Sequence, residues 1–116
     1  MMEINQEAAG SALVLVPTGR IDSSNARQFE ESVVKALEGG PANVLMDLGG
    51  LAYISSAGLR VILMAAQRLK AKGGSLRLCG LAPMILEVFE VSGFSKLIPI
   101  HKDRGEGLAG WYASSI

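Results

Sequence analysis

Hydrophobic and polar positions alternate along the chain with two different periods, one typical of buried strands and the other of amphipathic helices. The short segment 12–16 is apolar and partly β-branched, and Pro17 and Gly19 follow it, so it predicts a buried strand. Further strands are predicted over residues 2–8, 43–48, 75–79 and 97–100.

Three segments between these strands carry apolar residues at helical spacing. They begin after the polar cluster 22–25, at Leu59 and at Pro83, and a glycine follows the end of each. The second helix carries an apolar stripe, which comprises Leu59, Ile62, Leu63, Ala66 and Leu69. We expect this stripe to be buried against strand residues that include Val14, Val16, Val44 and Met46.

The order of these elements is β-β-α-β-α-β-α-β-α, which predicts an α/β fold with helices covering a mixed sheet. The 116 residues fit one domain, over residues 1–116. Residues 103–116 are expected to form a C-terminal tail or a short helix, and a capping box from Asp103 to Glu106 would begin that helix. Its apolar residues are Leu108, Trp111 and Tyr112.

Composition and charge exclude several classes of protein. Hydrophobic residues make up 49% of the chain and charged residues 19%, which excludes a disordered chain. The 11 basic and 11 acidic residues leave a formal net charge of zero, which argues against a nucleic-acid-binding protein. The longest apolar run, residues 61–66, is far shorter than the roughly 20 residues of a membrane span, and the N-terminus lacks a signal-peptide pattern. The single cysteine, Cys79, cannot form an internal disulfide, so we expect a cytoplasmic protein.

The sequence contains no group of residues typical of an enzyme. His101 is the only histidine, and neither a nucleophile elbow nor a glycine-rich phosphate-binding loop is present. One cysteine and one histidine cannot build a zinc site. We therefore expect a protein without catalytic residues, cofactor or metal.

Two adjacent hydroxyl residues, Ser55 and Ser56, precede the second helix. As structural residues they would cap the helix, because a serine oxygen there accepts a free backbone N–H. As a functional site, the same helix start would suit a phosphorylated Ser56, because free N–H groups and the helix dipole stabilise an added anion. Ala57 and Gly58 are small and are expected to leave the backbone around Ser56 open.

Four motifs, in order, resemble the STAS domain, the family named after sulfate transporters and anti-sigma factor antagonists. The central motif is Asp47-Leu48 followed by Tyr53-Ile54-Ser55-Ser56-Ala57-Gly58-Leu59. The others are Gly19-Arg20-Ile21-Asp22, Lys72-Gly73-Gly74-Ser75-Leu76 and Val88-Phe89-Glu90-Val91-Ser92-Gly93-Phe94. Together they cover about residues 3–100.

This resemblance implies a mixed β-sheet of about four to five strands with helices largely on one face. It also implies a non-enzymatic anti-sigma factor antagonist that acts by partner switching. The unphosphorylated antagonist would bind an anti-sigma factor, often a serine kinase, phosphorylation would release it, and a PP2C-type phosphatase would reset it. Family members commonly carry Asp-Ser-Ser/Thr-Gly at this point, so Ser56 corresponds to the acceptor, Ser55 to the aspartate and Ala57 to the second hydroxyl residue.

We expect the partner to bind a surface around Ser56, with the free protein a monomer. The expected surface comprises Asp22, Ser23, Ser24, Ser55, Ser56, Ala57, Gly58, Arg60 and Met64. Two other interpretations keep the fold and change the partner. The chain would then be a permanent subunit of a lipid-transporting ABC system, bound to its ATPase subunit, or a regulator of a phosphatase or secretion pathway.

Overall fold

The centre of the molecule is a mixed six-stranded sheet. The structure, a computed structural model, describes residues 2–111, so the predicted helix residue Tyr112 lies outside the described residues. The strands are β1 (Met2–Ala9), β2 (Ala12–Ile21), β3 (Asn43–Asp47), β4 (Leu51–Ile54), β5 (Ser75–Cys79) and β6 (Ile100–His101). Their order is β1-β2-β3-β5-β6, with β4 also paired to β2. Strands β1 and β2 are antiparallel and the other pairs are parallel, so the expected mixed sheet is confirmed.

Strand β4 adds a sixth strand to the four or five expected. It forms because β2 does not end near Pro17 but continues to Ile21. Gly19 adopts a positive φ of 95°, which glycine tolerates, and the register shifts between Gly19 and the next residue. The extended end of β2 offers an open edge, on which Ile21 pairs with Ile54 of β4.

Three helices cover one face of the sheet, as expected. They are α1 (Ala26–Leu37), α2 (Ser56–Ala71) and α3 (Pro83–Val91). Their buried side chains share one core with sheet residues such as Leu15 and Met46. The Nζ atom of Lys72, just after α2, lies 2.9 Å from the carbonyl oxygen of Leu37 and 3.3 Å from that of Gly40, which ties α2 to the end of α1. Within the described residues, no helix has the length and apolar content that crossing a membrane requires.

Two of the core contacts expected from the sequence are wrong. Successive residues of a strand point to opposite faces of the sheet. Leu15, Val44 and Met46 therefore face the helices, whereas Val14 and Val16 pack on the other face, away from α2. The segment 12–16 gave no sign of this difference, because both faces of the sheet are covered and both sets of residues are apolar.

The buried side of α2 also differs from the expected stripe. Leu63 and Ala66 are only half-buried. The buried positions are Gly58, Leu59, Val61, Ile62, Ala65 and Leu69. The reason is the neighbouring α1, which packs against α2 on the side that carries Val61.

The C-terminal segment covers the opposite face of the sheet. There α4 (Arg104–Gly107) and Trp111 pack in a second core with Leu45 and Cys79. The guanidinium of Arg77 lies 3.9 Å from the centre of the Trp111 ring and donates to two carbonyl groups of the same segment. Burial raises the pKa of the Cys79 thiol to about 11, which keeps it protonated and poorly nucleophilic at neutral pH.

Arg104 of α4 also links the segment to strands β1 and β3, through Glu7 and Asp47. We call this arrangement the C-terminal clasp. Asp103 accepts a hydrogen bond from the backbone N–H of Glu106 at 2.9 Å, which is one half of the predicted capping box, whereas the Glu106 carboxylate accepts from the backbone N–H of Lys102 rather than that of Asp103. The Nε atom of Arg104 donates to Asp47 Oδ2 of β3 at 2.6 Å, and its two Nη atoms donate to the Glu7 carboxylate of β1 at 2.9 and 3.1 Å. These bonds and the charge of Arg104 lower the pKa of the Glu7 carboxyl group.

The position of α2 predicts different effects for two adjacent substitutions. Ile62 is fully buried, so Ile62→Ala should lower the free energy of unfolding by about 2–5 kcal/mol. Leu63 is only half-buried, so Leu63→Ala should cost about 1 kcal/mol. Chemical denaturation of the two variants measures both values. Equal losses, or a larger loss for Leu63→Ala, would contradict this placement of the helix.

Candidate functional site

The two serines lie at the edge of the sheet where β2 and β4 both end. The backbone N–H of Ser55 donates to the carbonyl oxygen of Ile21 at 2.8 Å, which extends the β2–β4 pairing by one residue. The loop that follows β2, residues 22–25, therefore lies beside the start of α2. The structure brings the Asp22 and Ser55–Ser56 parts of the predicted surface together.

Ser55 caps α2. Its Oγ atom accepts a hydrogen bond from the backbone N–H of Gly58 at 3.3 Å, and its carbonyl oxygen accepts one from Leu59 at 3.0 Å. The side chain is half-buried, and its backbone is extended, as is usual at this position. The Ser55 hydroxyl is thus used in holding the helix start.

Ser56 is the first residue of α2, and its side chain is exposed. Among the described residues, its hydroxyl takes part in no hydrogen bond. The backbone N–H groups of Ser56 and Ala57 likewise donate to no acceptor there, as expected for the first turn of a helix. An accessible hydroxyl thus stands beside two free donors at the positive end of the α2 dipole.

Gly58 is buried rather than open, so the expectation that it keeps the backbone around Ser56 open is wrong. A Cβ atom at Gly58 would lie 2.7 Å from Ile21 Cγ2 and 2.8 Å from Ile54 Cγ1. The glycine instead lets the first turn of α2 pack closely on the ends of β2 and β4. This close approach fixes where Ser56 is presented.

The loop after β2 is held by its own polar side chains. Asp22 accepts hydrogen bonds from the hydroxyl and the backbone N–H of Ser24, and these bonds lower the pKa of the Asp22 carboxyl group. Asn25 stands at the cap position of α1 but makes no cap bond. Its amide instead bonds the carbonyl oxygen of Arg20 and the backbone N–H of Asp22. Ser23 is exposed at the tip of this ordered loop.

Three further predicted residues line a groove between α1 and α2, with a volume of about 400 Å³. These are Ala57, Arg60 and Met64. Arg60 is exposed and Met64 is half-buried. Arg27 and Glu30 of α1 form part of the other wall, so the groove has a charged rim.

A second groove, between the start of α2 and α3, is a feature that the sequence interpretation missed. It is lined by Ser56, Leu59, Met84, Glu87, Val88, Val91 and Ser92 and has a volume of about 450 Å³. Met84 and Val91 are 78% and 81% exposed, which is unusual for large apolar side chains. The available signal was the number of apolar residues in α3, which exceeds what one buried face requires.

The described residues contain no group of three or more histidine, cysteine, aspartate or glutamate side chains placed to hold a metal ion. The histidine, His101, lies on β6, with its Nδ1 atom 3.5 Å from Glu106 Oε1 rather than near either serine. The distinctive chemistry of the site is therefore the exposed Ser56 hydroxyl.

The close packing of Gly58 gives a direct test of how the site is built. Gly58→Ala should lower the free energy of unfolding by about 1–3 kcal/mol, because the added methyl group overlaps Ile21 and Ile54. Gly105→Ala is the matched control, because a Cβ there would lie 3.5 Å from its nearest neighbour, which is ordinary contact. Thermal and urea denaturation of both variants provide the measurement. A Gly58→Ala protein as stable as the control would show that the first turn of α2 does not pack closely against Ile21 and Ile54.

Comparison with known proteins places this site in a family. The family model described as the STAS domain matches residues 3–107. The chain is 38% identical over 110 residues to BtrV of Bordetella bronchiseptica, and the match covers 95% of each chain. BtrV is named as a candidate anti-sigma factor antagonist. The anti-sigma-B factor antagonist of Bacillus subtilis is 32% identical over 82 residues, covering 71% of this chain and 74% of that protein.

A solved structure shows the same fold. The crystal structure of an anti-sigma factor antagonist from Mycobacterium paratuberculosis matches with a TM-score of 0.85 and 18% identity, covering 93% of this chain and 92% of that one. The family match spans nearly the whole chain and includes β4, Ser56 and α3. This chain therefore belongs to the STAS domain family.

Proposed function

We propose that this chain is an anti-sigma factor antagonist, switched by phosphorylation of Ser56. One observation carries the proposal: of the two serines at the helix start, Ser55 caps α2 and Ser56 leaves its hydroxyl exposed and unbonded. The names of the relatives from Bordetella bronchiseptica and Bacillus subtilis support the partner class. The protein acts by binding, without catalysing a reaction or holding a cofactor.

The helix start tolerates a phosphate at Ser56. A phosphoserine adds about 1.5 to 2 negative charges at neutral pH. The free N–H groups of Ser56 and Ala57 and the dipole of α2 stabilise that charge. Arg60, which follows at i+4 on the helix, is exposed and makes no salt bridge among the described residues, so it is available to the phosphate. Phosphorylation therefore changes the surface without unfolding the domain.

The surface that meets the anti-sigma factor contains the residues brought together at this edge. Its centre is Ser56, with the loop of Asp22, Ser23 and Ser24 on one side. The groove lined by Ala57, Arg60 and Met64 continues it along α2. Ser55 and the buried Gly58 support this surface from below, by capping and by close packing.

The serine at position 55 changes the charge of the site but keeps its shape. Aspartate and serine both cap helices well, so Ser55 retains the cap while removing one carboxylate beside the acceptor. The partner that phosphorylates Ser56 is proposed to be the anti-sigma factor itself, acting as a serine kinase. A PP2C-type phosphatase removes the phosphate, and the free antagonist works as a monomer in the cytoplasm.

The proposal predicts which residue accepts the phosphate. Incubation with the cognate kinase and ATP should add one phosphate, which mass spectrometry should locate on Ser56. Ser56→Ala should accept none, because the accessible hydroxyl is gone. Ser55→Ala should still be phosphorylated, although loss of the cap should cost about 1 kcal/mol of stability. A phosphate on Ser55, or on another residue of the wild-type chain, would overturn the assignment.

The second prediction concerns binding. Ser56→Asp should bind the anti-sigma factor encoded in the same genome much more weakly than wild type, while Ser56→Ala should bind normally. A carboxylate that the partner covers loses its water, which costs several kcal/mol even beside Arg60, and each 1.4 kcal/mol is a tenfold change in affinity. The melting temperature should stay nearly constant, because an acidic residue suits a helix start.

Gln6→Glu provides the matched control for this experiment. It adds the same charge at an exposed position of β1 that pairs with Leu15, in the half of β2 far from Ser56, and should leave binding intact. Calorimetry measures binding by these four proteins and by phosphorylated wild type. If Ser56→Asp and the phosphorylated protein both bind as tightly as wild type, the switch is refuted, and a permanent subunit of a transport system becomes the better description.

A further inference from the structure

Helix α3 carries two apolar faces, of which the core uses only one. Ile85 and Phe89 are buried and face the sheet. Met84, Val88 and Val91 recur at i, i+4 and i+7, the spacing of a second stripe, which lies on the groove side of the helix. A helix with apolar residues on both sides is normally covered on both sides. Val88 is half-buried and packs on the edge of the core, whereas the two ends of the second stripe are exposed, Met84 at 78% and Val91 at 81%.

The groove beside this stripe has a charged residue in its middle. Glu87 follows Met84 by three positions and lines the groove with the three apolar residues. Among the described residues, Glu87 takes part in no salt bridge. An occupant that covered Glu87 without offering a cation would leave a buried unpaired charge, which is costly. The groove therefore fits a ligand that is apolar along its length and basic at one point.

We propose that this groove binds the apolar face of an amphipathic helix of the anti-sigma factor, with a lysine or arginine placed against Glu87. The inference rests on the proposed function and extends its interface from the α1 side of Ser56 to the α3 side. The stripe spans about two helical turns, which matches a short i, i+4, i+7 set on a partner helix. Ser56 lines the same groove, so the docking surface is continuous with the switch.

Charge argues against a second copy of this chain as the occupant. In a two-fold symmetric dimer the same patch is buried on both copies, which would place two Glu87 carboxylates within one small interface. Like charges in an apolar contact repel each other, so this pairing is disfavoured. A heterologous partner with a basic residue meets the requirement directly.

The same geometry explains why a phosphate on Ser56 would release the partner. The phosphate would be added to a residue that lines the same groove as Glu87 and the apolar stripe. An apolar helix face covering it would have to remove water from two negative groups while offering one cation. Phosphorylation therefore acts on the α3 groove itself and not only on the loop.

The test uses exposed residues, whose replacement leaves the core intact. Met84→Ser and Val91→Ser should each weaken binding of the full chain to the purified anti-sigma factor by about tenfold in calorimetry, because central apolar contacts dominate interfaces. Leu97→Ser is the matched control, since Leu97 is also 63% exposed but does not line the groove, and it should bind like wild type. Thermal denaturation should show unchanged melting for all three.

A charge reversal tests the cation. Glu87→Lys should weaken binding strongly, whereas Glu90→Lys should weaken it much less, because Glu90 lines a different groove, beside Leu86 and His101. In a ¹⁵N-labelled chain, amide shifts on binding should include α3 and the start of α2. Shifts confined to the α1–α2 groove would overturn the proposal, as would normal binding by Met84→Ser, Val91→Ser and Glu87→Lys.

The outcomes separate this inference from the proposed function. If wild type binds, phosphorylation releases it and the groove variants behave like wild type, the helix-docking inference fails and the switch survives. If wild type does not bind any anti-sigma factor of its genome, both fail. If the chain self-associates and Val91→Ser abolishes this, the occupant is a second copy and the inference is wrong.

Discussion

The pairing of β4 with the far end of β2 is the constraint on which the rest of the site depends. β2 pairs with β3 over its first half and with β4 over its second half, and the register shift beside Gly19 separates the two. This pairing brings Ile21 and Ile54 together, and Gly58 packs closely against both side chains. The Ser56 hydroxyl is therefore placed by the sheet rather than by a flexible loop, and such rigid presentation suits the proposed recognition by a protein partner.

Two neighbouring serines divide structural and chemical work between them. Ser55 gives its hydroxyl to the helix cap, which frees Ser56 from that role. Either side of Ser56 then offers a different surface: a charged rim with Arg60 toward α1, and an apolar stripe with Glu87 toward α3. A single charge added at Ser56 touches both surfaces, so one covalent change can affect a wide interface.

The fold was largely predictable, because the apolar segments 12–16 and 43–48 and the helical spacing after Leu59 are strong local signals. Which face of β2 packs against the helices could not be predicted. Both faces of the sheet are covered, so Val14 and Leu15 are both apolar and their alternation shows no polar contrast. The motif pointed to the pair Ser55 and Ser56, yet only the geometry shows which of the two caps α2, since both residue types suit a helix cap. The α3 groove was missed because the excess of apolar residues in α3 indicates a second stripe but does not show which stripe the core leaves exposed.

The C-terminal clasp has a consequence for how the chain folds during synthesis. Arg104 joins Glu7 and Asp47, which precede it by 97 and 57 residues. Domains begin to fold from the N-terminus as they are made, and contacts between distant parts of the chain form late. The face of the sheet that carries Leu45 and Cys79 therefore stays uncovered until residues 104–111 have left the ribosome. During that interval the helix-covered face can already be assembled while the other remains open to chaperones or to unwanted contact with another nascent chain.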